Sequence, residues 1–178
     1  MATAPRPKLK KQFDVITGYL VVPKVADAVK FYKKVFGAEE AERHQDETGK
    51  VWHSQLEVQG VRLLVMETFK DMELVAPKPK PAQGDPSMLM IFVSDVDGTF
   101  KTAIRAGATP IVEPFDAFWG DRYAEFRDPF GHRWALNCPQ KRLSAEQRID
   151  RFNQWRSQHG NLKSPAPVVK FKPAKQSR

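Results

Sequence analysis

The sequence is poor in cysteine, in long apolar runs and in acidic residues at its two ends. Cys138 is the only cysteine in 178 residues, so the chain cannot form an internal disulfide, as is typical of proteins in a reducing compartment. No stretch approaches the roughly 20 apolar residues of a membrane span, and the first six residues lack the apolar core of a secretory signal. These absences predict a cytoplasmic protein that does not enter a membrane.

The positive charge lies at the ends of the chain. There are 29 Lys and Arg against 21 Asp and Glu, which gives a net charge of +8. Residues 1–12 and 161–178 contain no acid and together hold +9, which leaves −1 for the residues between them. Both segments also contain prolines, and such ends are usually solvated. We therefore expect two basic disordered tails, 1–12 and 161–178, and no nucleic-acid binding beyond weak tail contacts.

Between the tails, the sequence contains a repeated module. Residues 21–25 (VVPKV) recur as residues 92–96 (FVSDV), and Gly37-Ala38 recurs as Gly107-Ala108. In each copy a strand-like segment precedes apolar residues at three- and four-residue spacing, which indicates a helix, and further strand-like segments follow. This order predicts an α+β fold of two βαβββ modules, about residues 13–75 and 86–140, joined by a Pro-rich linker at 76–86.

The predicted elements can be bounded approximately. The predicted strands are residues 15–22, 51–58 and 61–67 in the first module and 109–112, 122–127 and 132–137 in the second. We expect the first helix to stop at Gly37 and the second at Gly107. After the modules, Ser144 and Gln147 match a capping box, which predicts a further helix within residues 141–160 that ends at Gly160.

Three motifs carry a family resemblance: residues 29–38 (VKFYKKVFGA), 118–123 (FWGDRY) and 128–134 (DPFGHRW). They resemble the vicinal oxygen chelate superfamily, which includes glyoxalase I, bleomycin resistance proteins and extradiol dioxygenases, and within it the PhnB-like and glyoxalase-like branch. The resemblance covers about residues 14–140. It implies that the modules form a curved, mostly antiparallel sheet with a concave cavity, and that the protein is a homodimer.

The resemblance also locates the metal-ligand positions of that superfamily. In metal-dependent members, each module contributes one ligand from its first strand and one from a later strand. The corresponding residues in this chain are Thr17, Met88, Ala135 and either Gln55 or His53. Three of these four positions hold residues that bind a divalent cation poorly, and a single ligand does not hold an ion. We therefore expect no metal site and no other cofactor, with a divalent metal on a displaced ligand set as the alternative.

Strand alternation suggests which residues line the cavity. Side chains two apart share a face, so His53 and Gln55 lie on one side of a strand, opposite Leu56. His53 is the best candidate for a catalytic acid or base because of its near-neutral pKa. Trp119 and Arg122 have the chemistry to clamp a planar or anionic ligand. The predicted ligand-binding residues are Tyr19, His53, Gln55, Met88, Met90, Trp119 and Arg122.

Other roles for these residues stay open at this point. Met88 and Met90 fit core packing equally well, and Asp121 could pair with Arg122 or Arg127 instead of leaving them to a ligand. The preferred function is metal-free binding of a small organic molecule. The alternative is a metal-dependent lyase, isomerase or dioxygenase that uses a displaced set such as His53, Glu57 and a residue of the other module. A third possibility is an interaction module that recruits a partner through its C-terminal helix and tails.

Overall fold

A computed structural model of the chain describes residues 16–78, 85 and 87–158. The elements in chain order are β1 (Gly18–Val22), α1 (Val25–Phe36), β2 (Glu39–Gln45), β3 (Val51–Val58), β4 (Val61–Glu67), β5 (Leu89–Phe92), α2 (Val96–Arg105), β6 (Thr109–Asp116), β7 (Asp121–Arg127), β8 (Arg133–Pro139) and α3 (Ala145–Gln158). Both predicted tails, residue 15, Gly160 and most of the predicted linker lie outside the described residues.

The two predicted βαβββ modules are present, and each forms its own four-stranded sheet. The strand orders are β1-β4-β3-β2 in sheet 1 and β5-β8-β7-β6 in sheet 2. In each sheet the first strand pairs in parallel with the last, whereas the other two pairings are antiparallel. The expectation of an α+β fold with mostly antiparallel pairing is confirmed. No described helix is long and apolar enough to cross a membrane.

The sequence analysis missed β2. Its sequence, EEAERHQ, has few of the β-branched and aromatic residues that are enriched in strands. It nevertheless pairs antiparallel with β3, from Glu39 opposite Glu57 to Gln45 opposite Val51, with two register shifts. An edge strand can be polar on both faces because backbone pairing with its neighbour holds it in place.

The helix boundaries follow the sequence signals closely. Gly37 ends α1 in the left-handed conformation, with φ of 67°, as predicted. Asp95 caps the N-terminus of α2, because its side chain accepts a hydrogen bond from the Gly98 N–H at 2.9 Å. The predicted capping box of α3 is formed, because the Gln147 N–H donates to Ser144 Oγ at 3.1 Å and the Ser144 N–H donates to Gln147 Oε1 at 2.9 Å.

Helix α1 joins the two modules through one shared core. Phe36 of α1 packs on Trp134 of β8 with a ring-centre distance of 4.7 Å. The Tyr32 hydroxyl donates to Asp128 Oδ2 at 2.7 Å, and the Trp134 indole donates to the same oxygen at 3.0 Å. Residues of both sheets and both module helices therefore belong to a single buried cluster.

Two reciprocal hydrogen bonds also connect the modules. His132, in the turn between β7 and β8, lies with Nε2 2.9 Å from the carbonyl oxygen of Val21 in β1. Gln59, in the turn between β3 and β4, donates from Nε2 to the carbonyl oxygen of Phe92 in β5 at 2.9 Å. Val21 and Phe92 are equivalent positions of the repeat. Each module thus contacts the first strand of the other through its last hairpin.

Candidate functional site

We call the face of each sheet that points away from the shared core its outer face. On β3, Ser54 and Leu56 are fully buried toward the core, whereas His53 and Gln55 are only half-buried on the outer face. This agrees with the alternation expected from the sequence. The pairing register then places His44, His53, Met66 and Val21 in one row across the outer face of sheet 1, and Glu42, Gln55, Leu64 and Tyr19 in the next row.

Aromatic and imidazole rings surround His53 on sheet 1. Its ring centre lies 5.3 Å from that of His44 and 6.5 Å from that of Tyr19. His44 is itself 2.8 Å from Glu42, between Nε2 and Oε1. Partial burial lowers the pKa of His53, and the charge of nearby His44 lowers it further. His53 is therefore suited to accept a proton or a hydrogen bond as a neutral imidazole near pH 7.

The outer face of sheet 2 is more apolar and partly exposed. Met90 is 50% and Phe92 is 55% exposed on β5, and Met88, just before that strand, is 42% exposed. Farther across the sheet, Trp119 packs on Tyr123 with a ring-centre distance of 5.2 Å. A separate small cluster contains Ala117, Tyr123 and Ala135, with Phe115 and Trp119 packed against it.

A buried polar network crosses the same face. The Tyr123 hydroxyl donates to Glu125 Oε1 at 2.7 Å, and Arg133 forms an ion pair with the other oxygen of that carboxylate. Burial raises the pKa of Tyr123, and the hydrogen bond to Glu125 raises it further. Arg127 and Arg133 both pair with Asp85. These charges already have partners within the chain, so they hold the wall of the site together.

Arg122 does not join the other predicted ligand-binding residues. It has the parity of Ala124 and Phe126, which point into the core, and it forms a two-pronged ion pair with Asp97 of α2 at 2.8 and 2.9 Å. Its third contact is Asp116, at 3.2 Å. The structure thus places Arg122 on the helix side of sheet 2, where it ties α2 to β7.

Asp121 pairs with neither of the two partners that the sequence left open for it, Arg122 and Arg127. Its Oδ2 instead accepts a hydrogen bond from the side-chain amide of Asn137 at 2.8 Å. This contact forms because Asp121 starts β7 on the outer face, while Arg122 points to the other side. Arg122 forms ion pairs with Asp97 and Asp116, and Arg127 forms one with Asp85.

A pocket of about 250 Å³ lies where the two sheets meet. Arg62, Met90 and Phe92 reach it from the outer faces, and Leu63, Leu89 and Trp134 form part of its inner wall. We call this the seam pocket. Of the seven predicted ligand-binding residues, only Met90 lines it, whereas Tyr19, His53 and Gln55 lie on the outer face of sheet 1 and Trp119 lies farther across sheet 2.

The positions that correspond to metal ligands do not fit a divalent cation. Thr17 and Met88 lie just before the first strands of the two modules, and Ala135 lies on β8, opposite Met90. Hydroxyl, thioether and methyl groups are poor ligands for such ions. Within the described part of the chain, no three His, Cys, Asp or Glu side chains cluster as a metal site would require.

Sequence reasoning missed three residues of this outer face: Tyr123, Glu125 and Asn137. All three are less than a tenth exposed. The sequence did contain a signal for Tyr123 and Glu125. They alternate with the apolar residues Ala124 and Phe126, which have the character of core positions, so they lie on the opposite face of the strand. The hydrogen bond between Asn137 and Asp121 carries no local signal, because it joins residues on two different strands.

The fold and outer faces define a protein of paired βαβββ modules, and comparisons identify its family. The Glyoxalase/Bleomycin resistance protein/Dioxygenase superfamily matches residues 12–136. An uncharacterized protein of Mycobacterium tuberculosis (strain ATCC 25618 / H37Rv) is 34% identical over 133 residues, which are 74% of this chain and 78% of that protein. The chain belongs to this superfamily, as its three motifs implied.

Solved structures of similar fold support the same assignment. TioX from Micromonospora sp. ML1 is 26% identical, with a TM-score of 0.54, over 71% of this chain and 98% of its own. A gene product of Arabidopsis thaliana is 27% identical, with a TM-score of 0.53, over 70% of this chain and 98% of its own. The superfamily match ends at residue 136, before α3.

Proposed function

We propose that this protein binds a small organic molecule at the seam pocket and the adjoining outer face of sheet 2, without a metal ion. The supporting observation is the exposure of Met90 and Phe92 at the pocket, where they are 50% and 55% exposed. Large apolar side chains exposed side by side usually mark a binding surface. An apolar wall with a few polar groups is the usual composition of a small-molecule site.

The donor geometry favours metal-free binding over the metal-dependent alternative. His53 and Glu57 share a face of β3 but are four residues apart, which separates their Cα atoms by about 13 Å along a strand. Strand side chains stand roughly perpendicular to their sheet, so the two do not converge on one ion. The displaced ligand set considered from the sequence therefore has no common centre.

We also propose that the protein is a symmetric homodimer, the commonest assembly of soluble oligomers. Tyr19, Met88, Met90 and Phe92 are each more than 40% exposed in the single chain. A second copy that packed beside the ligand would cover part of this apolar surface. Light scattering on the purified full chain should then give twice the mass of one chain, and a monomer at micromolar concentration would contradict the assembly.

Metal content is the first test of the proposed function. Untagged protein, purified without chelating resin and then incubated with zinc, nickel, manganese or iron(II), should retain far less than one ion per chain after desalting. Stoichiometric retention that is lost in a His53→Ala variant would overturn metal-free binding. It would instead place a metal at His53.

Ligand binding is tested by a thermal-shift screen of small aromatic and aliphatic compounds, neutral and anionic. A compound that binds only the folded state stabilises it by RT ln(1 + [L]/Kd), where [L] is the free concentration of the compound, and so raises the unfolding temperature. We expect stabilisation by apolar compounds, and we expect it to weaken in a Met90→Ser variant. An Asn153→Ser change, on the exposed side of α3, serves as the matched control. If no compound stabilises the protein at millimolar concentration, the proposal is wrong.

A further inference from the structure

Asn137 occupies an unusual position on the outer face of sheet 2. The strand register places it between Phe92 of β5 and Tyr123 of β7, in the row next to Met90 and Ala135. Its side chain is only 3% exposed. Phe92, directly beside it, is 55% exposed and also lines the seam pocket. A buried amide therefore adjoins an exposed aromatic ring.

The orientation of the Asn137 amide follows from its neighbour. Its Nδ2 donates to Asp121 Oδ2 at 2.8 Å. A carboxylate accepts hydrogen bonds and does not donate them, so the nitrogen must face Asp121 and the oxygen must point elsewhere. The amide is thus held in one orientation by a residue of the same face.

Asn137 Oδ1 has no hydrogen-bond partner among the described residues, although it is buried. Buried polar atoms in folded proteins are nearly always paired, so an unpaired one calls for a specific explanation, such as a bound water or a functional role. No other buried side-chain nitrogen or oxygen in the described part of the chain lacks a partner. Asn137 Oδ1 is therefore an unpaired buried acceptor on the residue next to the exposed ring of Phe92.

We propose that Asn137 Oδ1 accepts a hydrogen bond from an N–H or O–H group of a planar aromatic ligand that lies against Phe92. This inference rests on the proposed function and narrows its ligand class to aromatic molecules that carry a donor. Aromatic rings supply apolar contact, and the buried acceptor supplies selectivity, because a ligand without a donor leaves it unpaired.

Two matched probes, indole and benzothiophene, test the inference. They have nearly the same shape, but only indole carries an N–H donor. Dissociation constants measured by NMR titration of the full chain should be about tenfold lower for indole, which corresponds to one net hydrogen bond. This comparison uses the unaltered protein, so it does not depend on whether a variant folds.

An Asn137→Leu variant should bind both probes equally, whereas an Asn153→Leu control on α3 should retain the preference for indole. Phe92→Ala should weaken the binding of both probes to a similar extent, because it removes only the apolar contact. If both probes bind the unaltered protein equally, the role of Asn137 is wrong while the proposed function stands. If neither probe binds at millimolar concentration, aromatic binding at this site is wrong, and with it this inference.

Discussion

Asp128 organises the contact between the two modules at the scale of single residues. Its Oδ1 accepts hydrogen bonds from the backbone N–H groups of Phe130 and His132, at 3.0 and 2.9 Å. Its Oδ2 accepts from Tyr32 and Trp134. The motif DPFGHRW therefore supplies both a tight turn and a buried acceptor for α1. Burial and the Asp128 carboxylate raise the pKa of Tyr32, so its hydroxyl remains a donor at all ordinary pH values.

Tyr32→Phe should lower the free energy of unfolding by about 1–2 kcal/mol, because it removes one buried hydrogen bond to a carboxylate that keeps three other donors. Urea denaturation followed by circular dichroism measures this change. The matched control is Tyr19→Phe. Tyr19 is exposed and its hydroxyl contacts Met66 Sδ, so its loss should lower the free energy of unfolding much less. Equal effects for the two variants would contradict a special role for the Tyr32–Asp128 contact.

At the scale of elements, α3 packs its aromatic side chains on Phe118. Phe118, in the turn before β7, lies 5.2 Å from Phe152 and 5.6 Å from Trp155 of α3, between ring centres. On its other side it packs on Trp119 at 4.9 Å. No residue of α3 is fully buried. We therefore expect this helix to open independently of the two sheets.

Phe152→Ala should speed amide hydrogen exchange throughout α3 without changing the midpoint of global unfolding, because the modules keep their own core. Hydrogen exchange measured by mass spectrometry, with peptides that cover residues 145–158, checks this outcome. Asn153→Ala, one residue along the same helix and exposed, is the control and should leave exchange nearly unchanged. A large drop in the global midpoint would mean that α3 is part of the cooperative unit.

At the scale of the whole molecule, the excess positive charge is concentrated at the two ends of the sequence. The net charge of +8 arises from residues 1–12 and 161–178, whereas the residues between them are close to neutral. Among the residues that the structure describes, Arg122, Arg127 and Arg133 all form ion pairs. Any attraction to polyanions should therefore come from the two ends.

Replacement of the nine Lys and Arg residues in 1–12 and 161–178 by Gln should abolish retention on heparin at low salt, because it changes the net charge from +8 to −1. The unaltered chain should be retained weakly and should elute as salt rises. Chromatography of both proteins at matched ionic strength makes the comparison. Undiminished retention of the variant would reveal a basic surface on the folded body.

Local signals in the sequence were sufficient for the elements that depend on nearby residues. The Gly37 stop and the Ser144–Gln147 capping box were predicted because each is formed within one turn of its helix. The repeat predicted two modules, and the period of two along β3 predicted the outer face of His53 and Gln55. β2 was missed because its residues lack strand preference, and its conformation comes from pairing with β3.

The sequence by itself determined the modules, the helix ends and the family, because these depend on residue type and short spacing. Only the tertiary structure decided that Arg122 binds Asp97, that Tyr32 reaches Asp128, and that Asn137 turns its amide nitrogen to Asp121 and leaves its oxygen unpaired. These contacts join residues distant in the chain or on separate strands, so the packing of the two sheets selects them.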